Sequence, residues 1–335
     1  MKIAVIGTSL IAGKFIDAVH ECAGIELIAV YSRTEENASL FGDRFHIPLR
    51  FSNLEELARC PYVDAVYIAS PNSCHYKQSV LMMQSKKHVL CEKPIAVSAD
   101  EFSKMQQIAS DNGVVLLEAS KHLFSPGLDL IKKLLPEIGP VRRAAFEFNQ
   151  YSSRYDLLKQ GEISNVFSKE LAGGALLDIG VYCVQFMVAL WGKPNSVVGS
   201  SYVLSTGVDG LGSAIATYEG LVVELSYSKI VESVTPSIIQ GEYGSLVFDN
   251  LSRIEKINVF MRKSNSAFDN LSRSEEKDAA SKKEGFRQID CDAAENQMVY
   301  EVNAFLEMTK NPENAKPYNK ISMTSLEIMD QLLQV

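Results

Sequence analysis

The feature that most constrains this chain is the rhythm of its first 117 residues, where short apolar runs recur at intervals too long for hairpins and are separated by segments of helical period. Ile3-Ala4-Val5-Ile6 is followed by runs at Glu26–Tyr31, Ala65–Ala69, His88–Cys91 and Val114–Leu117. Near-continuous apolar runs of this length fit strands covered on both faces, and parallel strands require a crossover between them. Helical patterns fill the gaps, among them Lys14–Cys22 and Ala99–Asn112, the second closed by Gly113 as a C-cap. The pattern predicts a doubly wound parallel α/β domain.

After Pro126 the character changes. A predicted helix over Leu128–Leu135 stops near Gly139-Pro140, and alternating segments take over at Val141–Phe148, Ser196–Val203, Ala214–Tyr218, Val222–Ser228, Ser237–Glu242 and Ser245–Phe248. These predict an open, largely antiparallel sheet. An apolar helix over Gly173–Leu190 interrupts them, and helices over about Glu295–Thr309 and Ser322–Leu333 close the chain. A length of 335 residues is comfortable for two cores, so the expected division is a dinucleotide-binding α/β domain over 1–120 and an α+β substrate and oligomerisation domain over 121–335. The polar stretch from Arg262 to Gly285 reads as an exposed loop or hairpin tip. The hexapeptide FDNLSR occurs at Phe248–Arg253 and again at Phe268–Arg273, which reads as two similar turns rather than a repeat architecture.

Charge and cysteine usage exclude several functions. A net charge of -8 without a clustered basic face argues against nucleic acid as a partner. The six cysteines form no CxxC pair and, with only five histidines, no metal-ligand spacing, so no metal is expected. MKIAVIG runs directly into a strand rather than a signal peptide, and no apolar run approaches the roughly 20 residues of a membrane span. The expectation is a cytoplasmic protein that handles a small molecule.

The first βα turn is Gly7-Thr8-Ser9-Leu10-Ile11-Ala12-Gly13. A dinucleotide fingerprint asks for G-x-G-x-x-G/A; Gly7 and Ala12 fit it, while Ser9 replaces the middle glycine. Position supports the reading, because the turn follows the first strand and opens a helix whose N-terminus can receive phosphate. Where an NAD site usually places an acidic residue for the ribose 2′-hydroxyl, the second strand ends in Tyr31-Ser32-Arg33. Ser32 and Arg33 can donate to a 2′-phosphate, and the guanidinium can stack on adenine, so NADP is expected over NAD. Ligands of such sheets lie beyond the carboxyl ends of the strands. That rule adds Ser70, Pro71 and Asn72 to the cofactor's reach, then His75, and finally Glu92-Lys93-Pro94 at the end of the next run. The proline restricts Lys93 to extended geometry and raises the question of a cis Lys-Pro bond.

With these residues in place the chain resembles the Gfo/Idh/MocA family of oxidoreductases, and within it the NADP-using, dihydrodiol-dehydrogenase-like branch. The carriers are the GTSLIA turn, the segment YIASPNSCHYKQSVLMMQSKKHVLCEKPIAVSADEF, and the later GGALLDIGVYCVQFMVALWGKP. The resemblance covers nearly the whole chain. It implies a Rossmann domain followed by an α/β domain whose open sheet shapes the substrate cleft and often pairs subunits, so a homo-oligomer, a dimer or larger, is expected. It assigns the EKP lysine to Lys93, the aspartate of the GG-x-x-x-D-x-G segment to Asp178 and the acid/base position to Tyr182, where many relatives carry histidine.

Residue chemistry agrees with these assignments. Asp178 and Tyr182 are four apart in a predicted helix, which sets both side chains on one face. A phenol with a pKa of about 10 needs a cation beside it to act near neutrality, and Lys93 is expected to lower it. The expected chemistry is hydride transfer between nicotinamide and a carbinol or carbonyl carbon of a sugar, polyol or dihydrodiol, with Tyr182 moving the proton, Lys93 holding the substrate oxygen and Asp178 orienting either. Glu92 reads as a structural ion-pair or backbone partner. Further substrate contacts are expected among Lys121, His122 and Arg154, with Tyr155 beside the last. A nicotinamide-binding sensor without turnover is the competing reading, and the joint presence of Lys93, Asp178 and Tyr182 argues against it, since a sensor needs only the cofactor site.

Overall fold

The computed structural model describes residues 1–262 and 285–333. Six parallel strands, β1 (Lys2–Ile6), β2 (Glu26–Tyr31), β3 (Leu49–Phe51), β4 (Ala65–Ile68), β5 (His88–Glu92) and β6 (Leu116–Ala119), form one sheet in the order β3-β2-β1-β4-β5-β6. Helices α1 (Leu10–Glu21), α2 (Glu35–Arg44), α3 (Leu54–Arg59), α4 (Asn72–Gln84) and α5 (Ala99–Asn112) make the crossovers. The order in which strands are added reverses at β1, outward to β3 on one side and then from β4 to β6 on the other, and such a switch point opens a crevice beyond the strand ends. The residues of β4 are buried throughout, which accounts for its continuous apolar character. Strand β3 was not expected. Its three residues, Leu-Arg-Phe, lie at the sheet edge and carry no run long enough to signal a strand, so the run at Ala65 is the fourth strand and not the third.

Helices α6 (Lys121–Phe124) and α7 (Pro126–Leu134) lead to the second sheet. Its eight strands are β7 (Val141–Asn149), β8 (Ser196–Val203), β9 (Asp209–Tyr218), β10 (Leu221–Ser228), β11 (Ser237–Gly241), β12 (Gly244–Phe248), β13 (Lys256–Met261) and β14 (Phe286–Asp290), ordered β14-β13-β12-β11-β7-β10-β9-β8. Only the central β7–β10 pair is parallel; the other pairs are antiparallel. Strands β13 and β14 extend the predicted set at one edge, where their residues are largely polar or exposed. The loop reading for the polar stretch, and the second FDNLSR, fall on residues 263–284, outside the described residues.

The short α8 (Ser153–Lys159) lies on the way to the long apolar helix, which is built in two parts: a π-helical turn over Leu176–Gly180, then α9 (Val181–Trp191). Every residue from Val181 to Val188 except Tyr182 is buried, because α9 packs on β7 and β10 on one side and on α6 and α11 (Lys316–Leu333) on others. Helix α10 (Met298–Lys310) returns to the first sheet. Its Val302 and Phe305 are fully buried in one cluster with Phe15 and Tyr67, whose rings stack at 3.7 Å. Along the chain the first sheet ends with β6 at Ala119 and the second begins with β7 at Val141, and α11 packs on α5 and β6 of the first part and on β8 and α9 of the second. No helix among the described residues is long and apolar enough to cross a membrane.

Candidate active site

The β1–α1 turn is shaped by contact with the end of β4. Gly7 has φ +112°, and a Cβ there would stand 2.7 Å from the Ala69 carbonyl oxygen. A side chain is excluded twice over, by backbone conformation and by space. Ser9, in place of the second fingerprint glycine, has φ -78°, an ordinary value for any residue. It serves as the N-cap of α1: its Oγ accepts from Ala12 N–H at 3.4 Å and its carbonyl from Gly13 N–H at 3.2 Å. The amides of Leu10 and Ile11 have no acceptor among the described residues, so two donors at a helix N-terminus face the crevice.

That crevice is a cavity of about 610 Å³, within the range of roughly 300–1,000 Å³ usual for small-molecule sites. The whole turn from Gly7 to Ile11 lines it, with Ser32 and Arg33, the Ser70–Asn72 turn, His75, Glu92 and Lys93. All residues read from the sequence as cofactor contacts thus share one cavity. Ser32 is buried, its N–H donating to Phe51 O at 3.1 Å, while Arg33 is exposed at the rim. Tyr31, Asn37 and Cys74 also line this end, and none of them was expected.

Two expected contacts also tie the walls together. The His75 ring nitrogens each lie 2.9 Å from a backbone oxygen, that of Pro94 and that of Ser70, linking the turns after β4 and β5. Burial, helped by Lys93, lowers the pKa of His75 although both carbonyls favour its charged form. Asn72 Nδ2 donates to Ala172 O at 2.9 Å and holds the approach to the π turn against the first domain. Glu92 is buried; its Oε1 accepts from the Tyr67 hydroxyl and its Oε2 from the Lys93 N–H at 3.3 Å, the structural partnership expected of it. Burial raises its pKa against the pull of Lys93.

Lys93 and Asp178, which line the cavity, belong to a charge cluster whose other members, Lys229 and Tyr182, lie outside its lining. The Lys93-Pro94 bond is cis. Lys93 Nζ donates to Asp178 O at 2.6 Å and to Asp178 Oδ1 at 3.2 Å, and it lies 5.0 Å from the centre of the Tyr182 ring. The second carboxylate oxygen, Oδ2, accepts from Lys229 Nζ, a residue just beyond β10 that the sequence reading missed. Asp178 occupies the π turn, so the expected α-helical face is replaced by a wider turn that still brings Asp178 and Tyr182 to one lysine. Asp209 anchors that turn, accepting from Leu176 N–H at 2.7 Å.

Burial works to raise the Asp178 carboxyl, but Lys93 and Lys229 outweigh it and hold it well below the usual carboxylate range. Burial would lower the Lys93 ammonium, but proximity to the acidic groups of Tyr182, Asp178 and Glu92 raises it, and at neutral pH the ionised Asp178 carboxylate in contact with it keeps Lys93 charged. For Tyr182 the expected direction is corrected. Lys93 does pull the phenol down, but burial dominates and pushes its pKa up to about 12.

The three expected substrate contacts separate. Arg154, on α8, lines the cavity and is exposed. His122 does not line it; its buried ring packs against Tyr182 at 4.8 Å, neither ring nitrogen has a partner among the described residues, and burial drives its pKa down to about 3. Lys121 also stays out of the lining. Burial lowers its pKa, and its strongest charge partner is buried Glu301 of α10. Asn165 and Leu171 line the cavity from the second domain and were not expected. No group of three or more His, Cys, Asp or Glu among the described residues is arranged to hold a metal ion.

Comparison with known proteins places the chain in a family. Residues 1–120 match the GFO/IDH/MocA family described as "Oxidoreductase family, NAD-binding Rossmann fold", and residues 131–247 match the GFO/IDH/MocA C-terminal domain. The chain is 44% identical over 262 residues to scyllo-inositol 2-dehydrogenase (NADP(+)) IolU of Bacillus subtilis, covering 78% of this chain and 80% of that one. It is 33% identical over 226 residues to trans-1,2-dihydrobenzene-1,2-diol dehydrogenase of Mus musculus, covering 66% of each. In fold it is similar to KijD10, a 3-ketoreductase from Actinomadura kijaniata solved with NADP and TDP-benzene, with a TM-score of 0.82 at 22% identity over 99% of this chain and 96% of that one.

Proposed function

Because the chain belongs to the GFO/IDH/MocA oxidoreductase family, we propose that it is an NADP-dependent dehydrogenase or reductase acting on a carbinol or carbonyl carbon of a sugar, polyol or cyclic dihydrodiol. One observation carries the reading: a lysine and an aspartate paired in the wall of the cavity that the dinucleotide turn opens, with the lysine set over a tyrosine ring that adjoins them outside the lining. The names of the two curated relatives support both the cofactor and the substrate class.

The cavity suits the cofactor. Free amides at Leu10 and Ile11 suit the pyrophosphate, and Ser32 with Arg33 suits a 2′-phosphate, with no acidic residue at the end of β2 to repel it. When bound, NADP supplies or accepts the hydride at its nicotinamide C4. The chain's own groups do the rest. Lys93 keeps its charge and donates to the substrate oxygen, stabilising the negative charge that develops there. Tyr182 gives a proton to that oxygen in reduction and takes it back in oxidation. Asp178, held between Lys93 and Lys229, fixes the direction of the Lys93 ammonium.

Arg33→Ala is expected to raise the KM for NADPH by ~10–100-fold and that for NADH by less than ~3-fold, as loss of a charge-assisted phosphate contact requires; steady-state assays with both cofactors check it, and equal effects would remove the 2′-phosphate assignment. Lys229→Met leaves Asp178 with one cation instead of two, so the carboxyl's depressed pKa rises. The ionised form is then lost earlier as pH falls, and the acid limb of kcat/KM should move to higher pH, while Lys229→Arg restores the profile.

Exposed apolar residues along the second sheet, Val198, Ile215 and Val222 among them, suit a homo-oligomer, which light scattering would read, and a cytoplasmic location completes the proposal. The test of the activity is a panel of inositols, sugars, dicarbonyls and trans-dihydrodiols with NADP+ or NADPH, followed by absorbance of the reduced cofactor. Turnover of a member of these classes supports the proposal; tight NADPH binding without turnover of any member turns it into a sensor.

A further inference from the structure

Glu118, in β6, lies behind the site and does not line its cavity. It is buried, yet its carboxylate accepts three hydrogen bonds from three parts of the chain. Ile95 N–H donates to Oε1 at 2.9 Å, Gln185 Nε2 donates to Oε2 at 2.8 Å, and the Ser322 hydroxyl also donates to Oε2. Ile95 stands two residues after Lys93, on the turn that aims the lysine. Gln185 stands three residues after Tyr182, one turn along α9. Its own carbonyl oxygen accepts from Ser120 Oγ at 2.8 Å, which leaves the amide one orientation. Ser322 belongs to α11, the helix packed on α9.

We propose that Glu118 is a positioning residue that sets the separation of Lys93 and Tyr182 by clamping the Lys93-Pro94 turn of the first domain to the helix of the second that carries Tyr182. The inference rests on the function proposed above, since that chemistry needs both groups around one substrate oxygen. A carboxylate suits the post because all three partners arrive as donors. The Ile95 amide and the Gln185 NH2 cannot accept, so a proton on Glu118 finds an acceptor only if the Ser322 hydroxyl turns round. A buried joint of this kind is stiff while fully satisfied and loosens when one member is not.

The clamp is also sensitive to pH. Burial raises the Glu118 pKa to about 7 against the Ser322 and Ile95 hydrogen bonds; Glu92 adds to the rise and Lys93 opposes it. These two, at the end of β5, are the charged groups acting on it, while α9 and α11 present the uncharged Gln185 and Ser322. The joint is therefore intact above about pH 7 and released as pH falls through that value.

The test compares wild type, Glu118→Gln, Gln185→Met and the double variant in kcat and KM across pH, on whichever member of the panel the wild type turns over. A 1 Å misplacement of catalytic groups costs on the order of 100-fold, so Glu118→Gln should lower kcat by ~10–100-fold and leave the KM for NADPH within ~2-fold. Its rate should also lose the acid limb near neutrality, because the amide does not titrate. Gln185→Met removes the link from the Tyr182 side alone and should lower kcat in the same direction, with the double variant no worse than the more impaired single one. Should Glu118→Gln fail to fold, the Gln185→Met profile carries the test. Full kcat in the variants, or losses that are additive and equal at every pH with the acid limb retained, would overturn the clamp. A wild type with no turnover would instead overturn the proposed activity, and the positioning role with it.

Discussion

Lys93→Met is expected to lower kcat by ~10²–10⁴-fold with little change in NADPH affinity, the range typical of losing a charge-stabilising donor or proton carrier. Methionine keeps most of the side chain's volume, so the loss is electrostatic. The substrate oxygen loses its cationic donor, Asp178 keeps only Lys229, and the Tyr182 phenol, already pushed up to about 12 with Lys93 restraining it, rises further. Three effects from one charge place this change among the most damaging at the site. Fluorescence titration with NADPH separates it from a cofactor defect: a variant that binds normally and turns over near-normally would remove Lys93 from the chemistry.

Tyr182→Phe is expected to cost a similar ~10²–10⁴-fold, with a signature in pH that Lys93→Met lacks. The raised pKa fixes the sign. Below about 12 the phenol holds its proton, so reduction, which needs the proton, takes no pH dependence from Tyr182 and should be nearly flat above the acid limb that Glu118 sets near pH 7. Oxidation needs the rare deprotonated form and should quicken by ~10-fold per pH unit over the same range. Phenylalanine keeps the ring that packs on His122 and Phe148, so the fold survives while this slope disappears. Rates in both directions, measured from pH 6 to 9 on wild type and variant, check the prediction; a slope that persists in the variant would assign the proton to another group.

Much of this site was legible because the chain writes each part of it at the end of a strongly patterned element. The GTSLIA turn, Ser32-Arg33, Ser70–Asn72 and Glu92-Lys93 each follow a run of residues that can only be a buried parallel strand, and strand ends of that sheet converge on one crevice. Lys229 had no such signpost. It is one of 33 basic residues, and its neighbour in space, Asp178, lies 51 residues away across a sheet whose register no local pattern reveals. Glu118 was hidden for a related reason, since its three partners come from β5, α9 and α11 and meet only after both domains have packed.

Two features of the site depend on the assembled fold. A helical period was read straight through Leu176–Gly180, but the π turn there depends on Asp209, a residue from β9 that holds the Leu176 amide. The phenol's pKa was reasoned from one charged neighbour, whereas burial among His122, Phe148 and the α9 packing decides its direction. Burial belongs to the assembled fold, and a residue's own sequence neighbours do not report it. Strands β3 and β14 escaped because both lie at sheet edges, and edge strands need not be apolar.

The central claim is that the meeting point of Lys93, Asp178 and Tyr182 performs NADP-linked hydride transfer. Its most direct test is the formation of reduced cofactor from NADP+ with the polyol, sugar and dihydrodiol panel, run side by side on wild type and Tyr182→Phe, with NADPH binding measured on both. The account predicts absorbance growth for wild type with at least one member, its loss by two orders of magnitude or more in the variant, and equal binding. Equal turnover by the two proteins, or tight NADPH binding by a wild type that oxidises and reduces nothing in the panel, would contradict it.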